Sequence, residues 1–216
     1  MEIKPLFDNR IDAGRKLAEA LTDYQEDPNV IVLALPRGGV PVAHQVAESL
    51  DAPMDIFLVR KLGLPGHEEL AMGAIASGGV CVLNESVVAQ LENPEVVIDE
   101  VVEKEQMELE RREQAYRGDR PVPELEGRTV ILVDDGLATG ASMRAAVAGL
   151  RARNPQKIVV AVPTASPETC EQFENEVDEV VCAVTPQPFF GIGYWYDDFS
   201  QTTDEEVRHI LEEARN

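Results

Sequence analysis

The stretch Val130-Ile131-Leu132-Val133-Asp134-Asp135-Gly136-Leu137-Ala138-Thr139-Gly140-Ala141-Ser142 joins an unbroken apolar run to two adjacent acids and a loop of small residues. A short, continuous apolar run is the pattern of a strand buried on both faces, as in a parallel sheet. Open α/β sheets bind ligands at the carboxyl ends of their strands, and Asp134 and Asp135 stand at such an end. Gly136, Thr139 and Gly140 then lead into a helix expected over residues 140–153, whose free N–H groups and positive dipole end suit a phosphate. Carboxylates accept from vicinal hydroxyls while the loop donates to phosphate, so the stretch reads as a cradle for ribose 5-phosphate. Capping the following helix would need one acid. Two adjacent acids after a fully apolar strand are costly unless a ligand uses them.

Outward from this stretch, strands and helices alternate. Residues 30–35 form a second buried-strand pattern, followed by Pro36-Arg37-Gly38-Gly39 and a helical stretch over 40–50. Further strands are expected at 54–59, 157–162 and 179–184, and further helices at 11–21, 94–117, 167–175 and 203–215. The Gly- and Pro-containing segment 60–72 reads as a partly charged loop, and Ser77-Gly78-Gly79 as the turn of a short hairpin between 73–76 and 80–83. Helix 94–117 mixes apolar residues and charges, which fits a half-solvated helix lying on the sheet; a lid or subunit-contact helix is the alternative. This order predicts an α/β fold with a doubly wound parallel sheet and one core, in a single domain over 1–216. No internal repeat interrupts it.

Composition narrows the function. With 44% hydrophobic and 5% aromatic residues the chain is that of a globular protein. Its net charge of −21, from 40 acidic and 19 basic residues, argues against general nucleic-acid binding. The acidic excess, with Arg outnumbering Lys, resembles proteins of salt-loving organisms, in which screening makes dense like charge tolerable. No apolar run approaches the roughly 20 residues of a membrane span, and the N-terminus lacks the pattern of a secretory signal, so a cytoplasmic location is expected. Cys81, Cys170 and Cys182 have no C-x-x-C spacing and are expected to be small buried hydrophobes, with neither a disulfide nor a zinc site.

Two further constellations join the first. Arg37-Gly38-Gly39 after the first strand places a cation and flexible backbone at the same sheet edge, although an ordinary strand-to-helix turn reads the same way. Arg60 and Lys61 follow another strand, where adjacent cations can clamp a pyrophosphate or merely decorate a surface. The stretch from Gly63 to Gly66 is then a candidate lid hinge. His67 reads as an exposed loop histidine.

On the Asp-Asp-x-Leu-Ala-Thr-Gly core, the chain resembles the type I phosphoribosyltransferases, and especially their adenine-specific members. The loop at residues 59–74 and the tail at 189–200 resemble a little-characterised branch of that family, over nearly the whole chain. The resemblance implies that Asp134 and Asp135 hold the ribose hydroxyls of 5-phosphoribosyl 1-pyrophosphate (PRPP), and that Ala138 to Ser142 (Ala138, Thr139, Gly140, Ala141, Ser142) hold its 5-phosphate, with Gly136 also among the PRPP-binding residues. Arg37, Gly38 and Gly39 would then meet the pyrophosphate, with Arg60 and Lys61 as clamps. Phe190, with Tyr194, would stack on the acceptor base. Mg2+ is implied as cofactor, near Asp135 and Asp197. The same aromatics would equally cover the open end of a small core.

Hypoxanthine-guanine enzymes carry an Asp where this chain has Ala138, so a 6-oxopurine acceptor is disfavoured. The family also implies a small hood, here the segments 1–25 and 185–216, and a homodimer. The expected reaction is displacement of pyrophosphate from PRPP by a nitrogenous base or amine. A non-catalytic PRPP sensor acting on a protein partner is the rival reading. A dinucleotide enzyme is disfavoured by the lack of G-x-G-x-x-G after the first strand.

Overall fold

The computed structural model describes residues 4–91 and 93–214, with the side chains of 68 and 69 left aside. In chain order the elements are α1 (Arg10–Glu19), β1 (Val30–Ala34), α2 (Gly39–Leu50), β2 (Met54–Ile56), β3 (Val59–Leu64), β4 (His67–Ala76), β5 (Val80–Leu83), α3 (Glu85–Val88) and α4 (Pro94–Arg117). They continue with β6 (Thr129–Val133), α5 (Ala141–Arg151), β7 (Lys157–Thr164), α6 (Pro167–Phe173), β8 (Glu179–Val184) and α7 (Asp204–Glu213). The expected extension of the last helix to Arg215 lies outside the described residues, as do the first three residues of the expected hood. No described helix is long and apolar enough to cross a membrane.

The chain divides into two compact units, Met1–Ile56 with Leu125–Gly140 and Asn154–Asn216, and Phe57–Glu124 with Ala141–Arg153. The first holds a five-stranded sheet of order β2-β1-β6-β7-β8, and each pairing is parallel. Every residue of β1 and β6 is buried, which is why both read as unbroken apolar runs. Helices α1 and α2 pack on each other and α6 on β8. The start of the chain and the aromatic tail are stitched together: Leu6 and Phe7 donate to the Trp195 carbonyl at 2.9 and 3.0 Å, and Asp197 N–H donates to Phe7 O at 2.8 Å. Phe7, Ala13, Trp195 and Tyr196 form a small core there.

The second unit corrects the expected loop over 60–72. That segment is most of an antiparallel hairpin, β3 with β4, and β5 completes a three-stranded sheet of order β3-β4-β5. Pro65 and Gly66 make the turn, and Gly66 has φ of +79°, which glycine adopts without steric cost. Helices α4 and α5 lie on β3 and β4. Leu109 on α4 is buried while Val96 and Met107 are exposed, as expected of a half-solvated helix.

The cysteines also differ from expectation. Cys170 on α6 and Cys182 on β8 form a disulfide, and Cys81 on β5 is an exposed free thiol. The pairing depends on α6 folding back onto its neighbouring strand, which spacing alone does not reveal.

Candidate active site

Strand pairing brings the two diagnostic loops together. Ala34 at the end of β1 is opposite Val133 at the end of β6, and Leu35 N–H donates to Val133 O at 2.9 Å. The chain therefore leaves both strands side by side, with Arg37-Gly38-Gly39 against Asp134-Asp135. The contact is close enough to require the glycines. A Cβ at Gly38 would lie 2.0 Å from Asp135 Oδ2, and one at Gly39 would lie 2.7 Å from Val133 O and 2.9 Å from the Asp134 Cα.

Arg10, at the start of α1, supplies a cation that sequence reading missed. Its Nε donates to Asp135 Oδ2 at 2.9 Å, and a second guanidinium nitrogen lies 2.8 Å from the same oxygen. The remaining nitrogen donates to Ser200 O at 2.6 Å, and the guanidinium lies 4.1 Å from the Phe199 ring centroid. The Tyr196 hydroxyl donates to the Asp135 carbonyl at 2.6 Å, and Asp135 N–H donates to Asp134 Oδ1 at 2.9 Å. A lone cation in the first turn of a helix, where the dipole disfavours it, is the one local hint that Arg10 has another task.

These contacts set the charges. Burial, with the Asp135 charge beside it, pushes the Asp134 carboxyl well above the usual range. Burial also raises Asp135, and the Arg10 guanidinium opposes that rise. The Tyr196 hydroxyl is held neutral by burial and by the neighbouring Asp135. The site thus pairs a deeply buried acid with one whose charge is opposed by an arginine.

The other expected residues are placed as follows. Arg37 reaches Asp204 on α7 at 3.4 Å. Gly136 is buried, and a Cβ there would lie 2.6 Å from Ile192. The Ala138 carbonyl accepts from Thr169 Oγ1 at 2.9 Å, which ties the loop to α6. Ala138 and Thr139 are exposed, and Gly140 closes the first unit. Ala141 and Ser142 begin α5, which belongs to the second unit. Phe190 and Tyr194 are exposed in the first unit, with ring centroids 5.9 Å apart. Asp197 is exposed on the segment paired with Phe7. Arg60 and Lys61 lie on β3 of the second unit, where Arg60 donates to Glu105 at 2.7 Å. Both line a cavity of about 540 Å³ with Gly63, Pro65 and Lys104.

The described residues contain no group of three or more side chains able to hold a metal ion. The acids available are hard oxygen donors, and magnesium commonly takes one or two carboxylates together with substrate phosphates. Asp135 and Asp197 are acids of this kind within the first unit.

The model of the phosphoribosyl transferase domain matches residues 3–198. The chain belongs to that family. Two Mycobacterium tuberculosis proteins (strains CDC 1551 and H37Rv), named phosphoribosyl transferases on a provisional footing, are 47% identical to it over 209 residues. The match takes in 97% of this chain and 47% of theirs, so this phosphoribosyl transferase domain spans about half the length of the curated relatives it matches. The crystal structure of TT1426 from Thermus thermophilus is 43% identical and superposes with a TM-score of 0.85, over 96% of this chain and 98% of that one.

Proposed function

We propose that this phosphoribosyl transferase domain transfers the ribose 5-phosphate of PRPP to a nitrogenous base or amine and releases pyrophosphate. The observation that carries the reading is the abutment of Gly38 and Gly39 on the acid pair at the end of β6, where Gly38 comes within 2.0 Å of Asp135 once a Cβ is added. An acceptor for sugar hydroxyls and a backbone surface for a pyrophosphate are thus adjacent at the carboxyl edge of a parallel sheet.

In this reading the nitrogen lone pair of the acceptor bonds to C1 of the ribose as the bond from C1 to the pyrophosphate oxygen breaks. The electron pair leaves with pyrophosphate, and an acceptor proton is lost to water, since Ala138 offers no base. Asp134 and Asp135 orient the sugar and favour the positive charge that develops on it. Residues 138–142 hold the 5-phosphate through backbone N–H groups. Arg37 and the backbone of Gly38 and Gly39 meet the leaving group. Mg2+, entering with PRPP and met by Asp135 and Asp197, would neutralise charge on the pyrophosphate. Phe190 and Tyr194 offer exposed rings for the acceptor. Arg60 and Lys61 are proposed as further cations for the leaving group on the strength of the family resemblance alone.

The test is pyrophosphate release from Mg-PRPP in concentrated potassium chloride, across purines, pyrimidines and simple amines, with Asp134→Asn/Asp135→Asn as control. Release that depends on one acceptor and is lost in the control is the expected result. Tight PRPP binding without release from any acceptor would move the protein to the sensor class. Absence of PRPP binding would overturn the reading.

A further inference from the structure

Arg10 is nearly buried, with its side chain 11% exposed and that of Asp135 13% exposed. Both of its bonds to the acid end on the same oxygen, Oδ2, at 2.9 and 2.8 Å. On its other side Oδ2 meets Gly38, where an added Cβ would lie 2.0 Å away. That oxygen is therefore wedged between a guanidinium and a backbone, which fixes the rotation of the carboxylate. The third nitrogen of Arg10 holds Ser200 O at 2.6 Å, and Phe199 covers its face, so the arginine is itself held in place.

We propose that Arg10 is a positioning residue of the ribose site, wedging Oδ2 of Asp135 against Gly38 and leaving Oδ1 to accept a hydroxyl of the sugar. The inference rests on the phosphoribosyl-transfer reading given above. It explains why an acid meant for a ligand also carries an ion pair: the pair uses one oxygen only. Arginine suits the task because it stays charged at all working pH values and presents two nitrogens in a rigid fork.

The experiment compares wild type, Arg10→Gln and Arg10→Lys for binding of Mg-PRPP and of Mg-pyrophosphate by calorimetry at one neutral pH, with a crystal structure of ligand-free Arg10→Gln to give the rotation of the Asp135 carboxylate. In Arg10→Gln the PRPP affinity should fall roughly ten- to a hundredfold while the pyrophosphate affinity stays at the wild-type value, and the carboxylate should turn away from Gly38. Arg10→Lys should recover part of the PRPP affinity, because the charge is kept and the fork is lost. Unchanged PRPP affinity in Arg10→Gln, an equal loss for pyrophosphate, or a carboxylate that stays in place would overturn the inference. If wild type fails to bind Mg-PRPP, the transfer reading falls, while the crystal structure still reports whether Arg10 holds Asp135.

Discussion

The two edges of the five-stranded sheet handle charge in opposite ways. At the amino edge, Lys157 at the start of β7 donates to Glu179 at the start of β8 at 2.7 Å and to the Tyr24 hydroxyl at 2.6 Å, while Tyr24 donates to Glu179 at 2.6 Å. Arg128 adds bonds to the carbonyls of Pro28, Asn29 and Val30 at 3.3, 3.2 and 2.7 Å. Each of these charges has a partner: bonds from Lys157 and Tyr24 lower the Glu179 carboxyl, and bonds to the same trio raise the Lys157 ammonium. At the carboxyl edge two acids sit side by side, Arg10 bonds Asp135, and both acids are pushed up by burial. The amino edge is arranged for stability. The carboxyl edge keeps an electrostatic deficit that a ligand with hydroxyl donors would relieve, as functional sites often do.

The sharpest way to break this contrast is Gly38→Ala. The backbone there has φ of −61°, so alanine meets no conformational obstacle. Its methyl would nonetheless collide with Asp135 Oδ2, and the carboxylate must turn. Turnover of PRPP is expected to fall by about a hundredfold or more, while circular dichroism shows the fold retained and the melting temperature falls as the Arg10–Asp135 pair is disturbed. Retained turnover would mean that the carboxylate position is not critical.

Asp134→Asn tests the deficit from the stability side. A carboxyl raised in the fold contributes most favourably below its unfolded value of 3.8, and that contribution is lost as pH rises through the folded value. The asparagine variant should therefore be more stable than wild type at neutral pH, by about 1.4 kcal/mol per unit of upward shift. The difference should close as pH falls toward 3.8. Thermal melts of the ligand-free protein over pH 3.5 to 8, roughly the range that spans both states, would show it. A variant less stable at every pH contradicts the assignment.

Lys157→Met should behave in the opposite sense. It breaks the amino-edge trio, whose Lys157 and Glu179 side chains are 35% and 40% exposed, so screening limits the loss to about 0.5–1 kcal/mol. Glu179 is depressed, so its share is present above pH 4.5 and disappears as pH falls through its folded value; the variant and wild type should converge in acid. PRPP affinity should not change. The smallest effect is expected from Phe190→Ala: with the ring 52% exposed, stability should shift by no more than about 0.5 kcal/mol, while the KM for the acceptor rises.

The parallel sheet could be read from sequence because strands buried on both faces leave continuous apolar runs, as in residues 30–34 and 129–133. The second sheet could not. Strand β3 alternates burial only loosely, carries Arg60 and Lys61, and shifts register beside Gly63, so its composition reads as loop. The turn at Pro65 and Gly66 was available as a signal, since a proline followed by a glycine of positive φ is a turn pair. The acids and the glycine loop were legible because each is a local pattern at a strand end. Arg10 was not, because it stands 125 residues from Asp135 and only the packing of α1 beside the sheet brings them together. The Cys170–Cys182 link escaped for the same reason, as it depends on α6 lying back on β8.

The reach of Arg10 also fixes when the site can come into being. Its bonds span 125 residues to Asp135 and 190 residues to Ser200. On the ribosome the arginine is made first, the acid it compensates follows only after that shorter span, and the segment that seats it only after the longer one. Contacts of such separation form late. Until they do, the acid pair has no counter-charge from Arg10, so a nascent or truncated chain holds the sequence signature without the site.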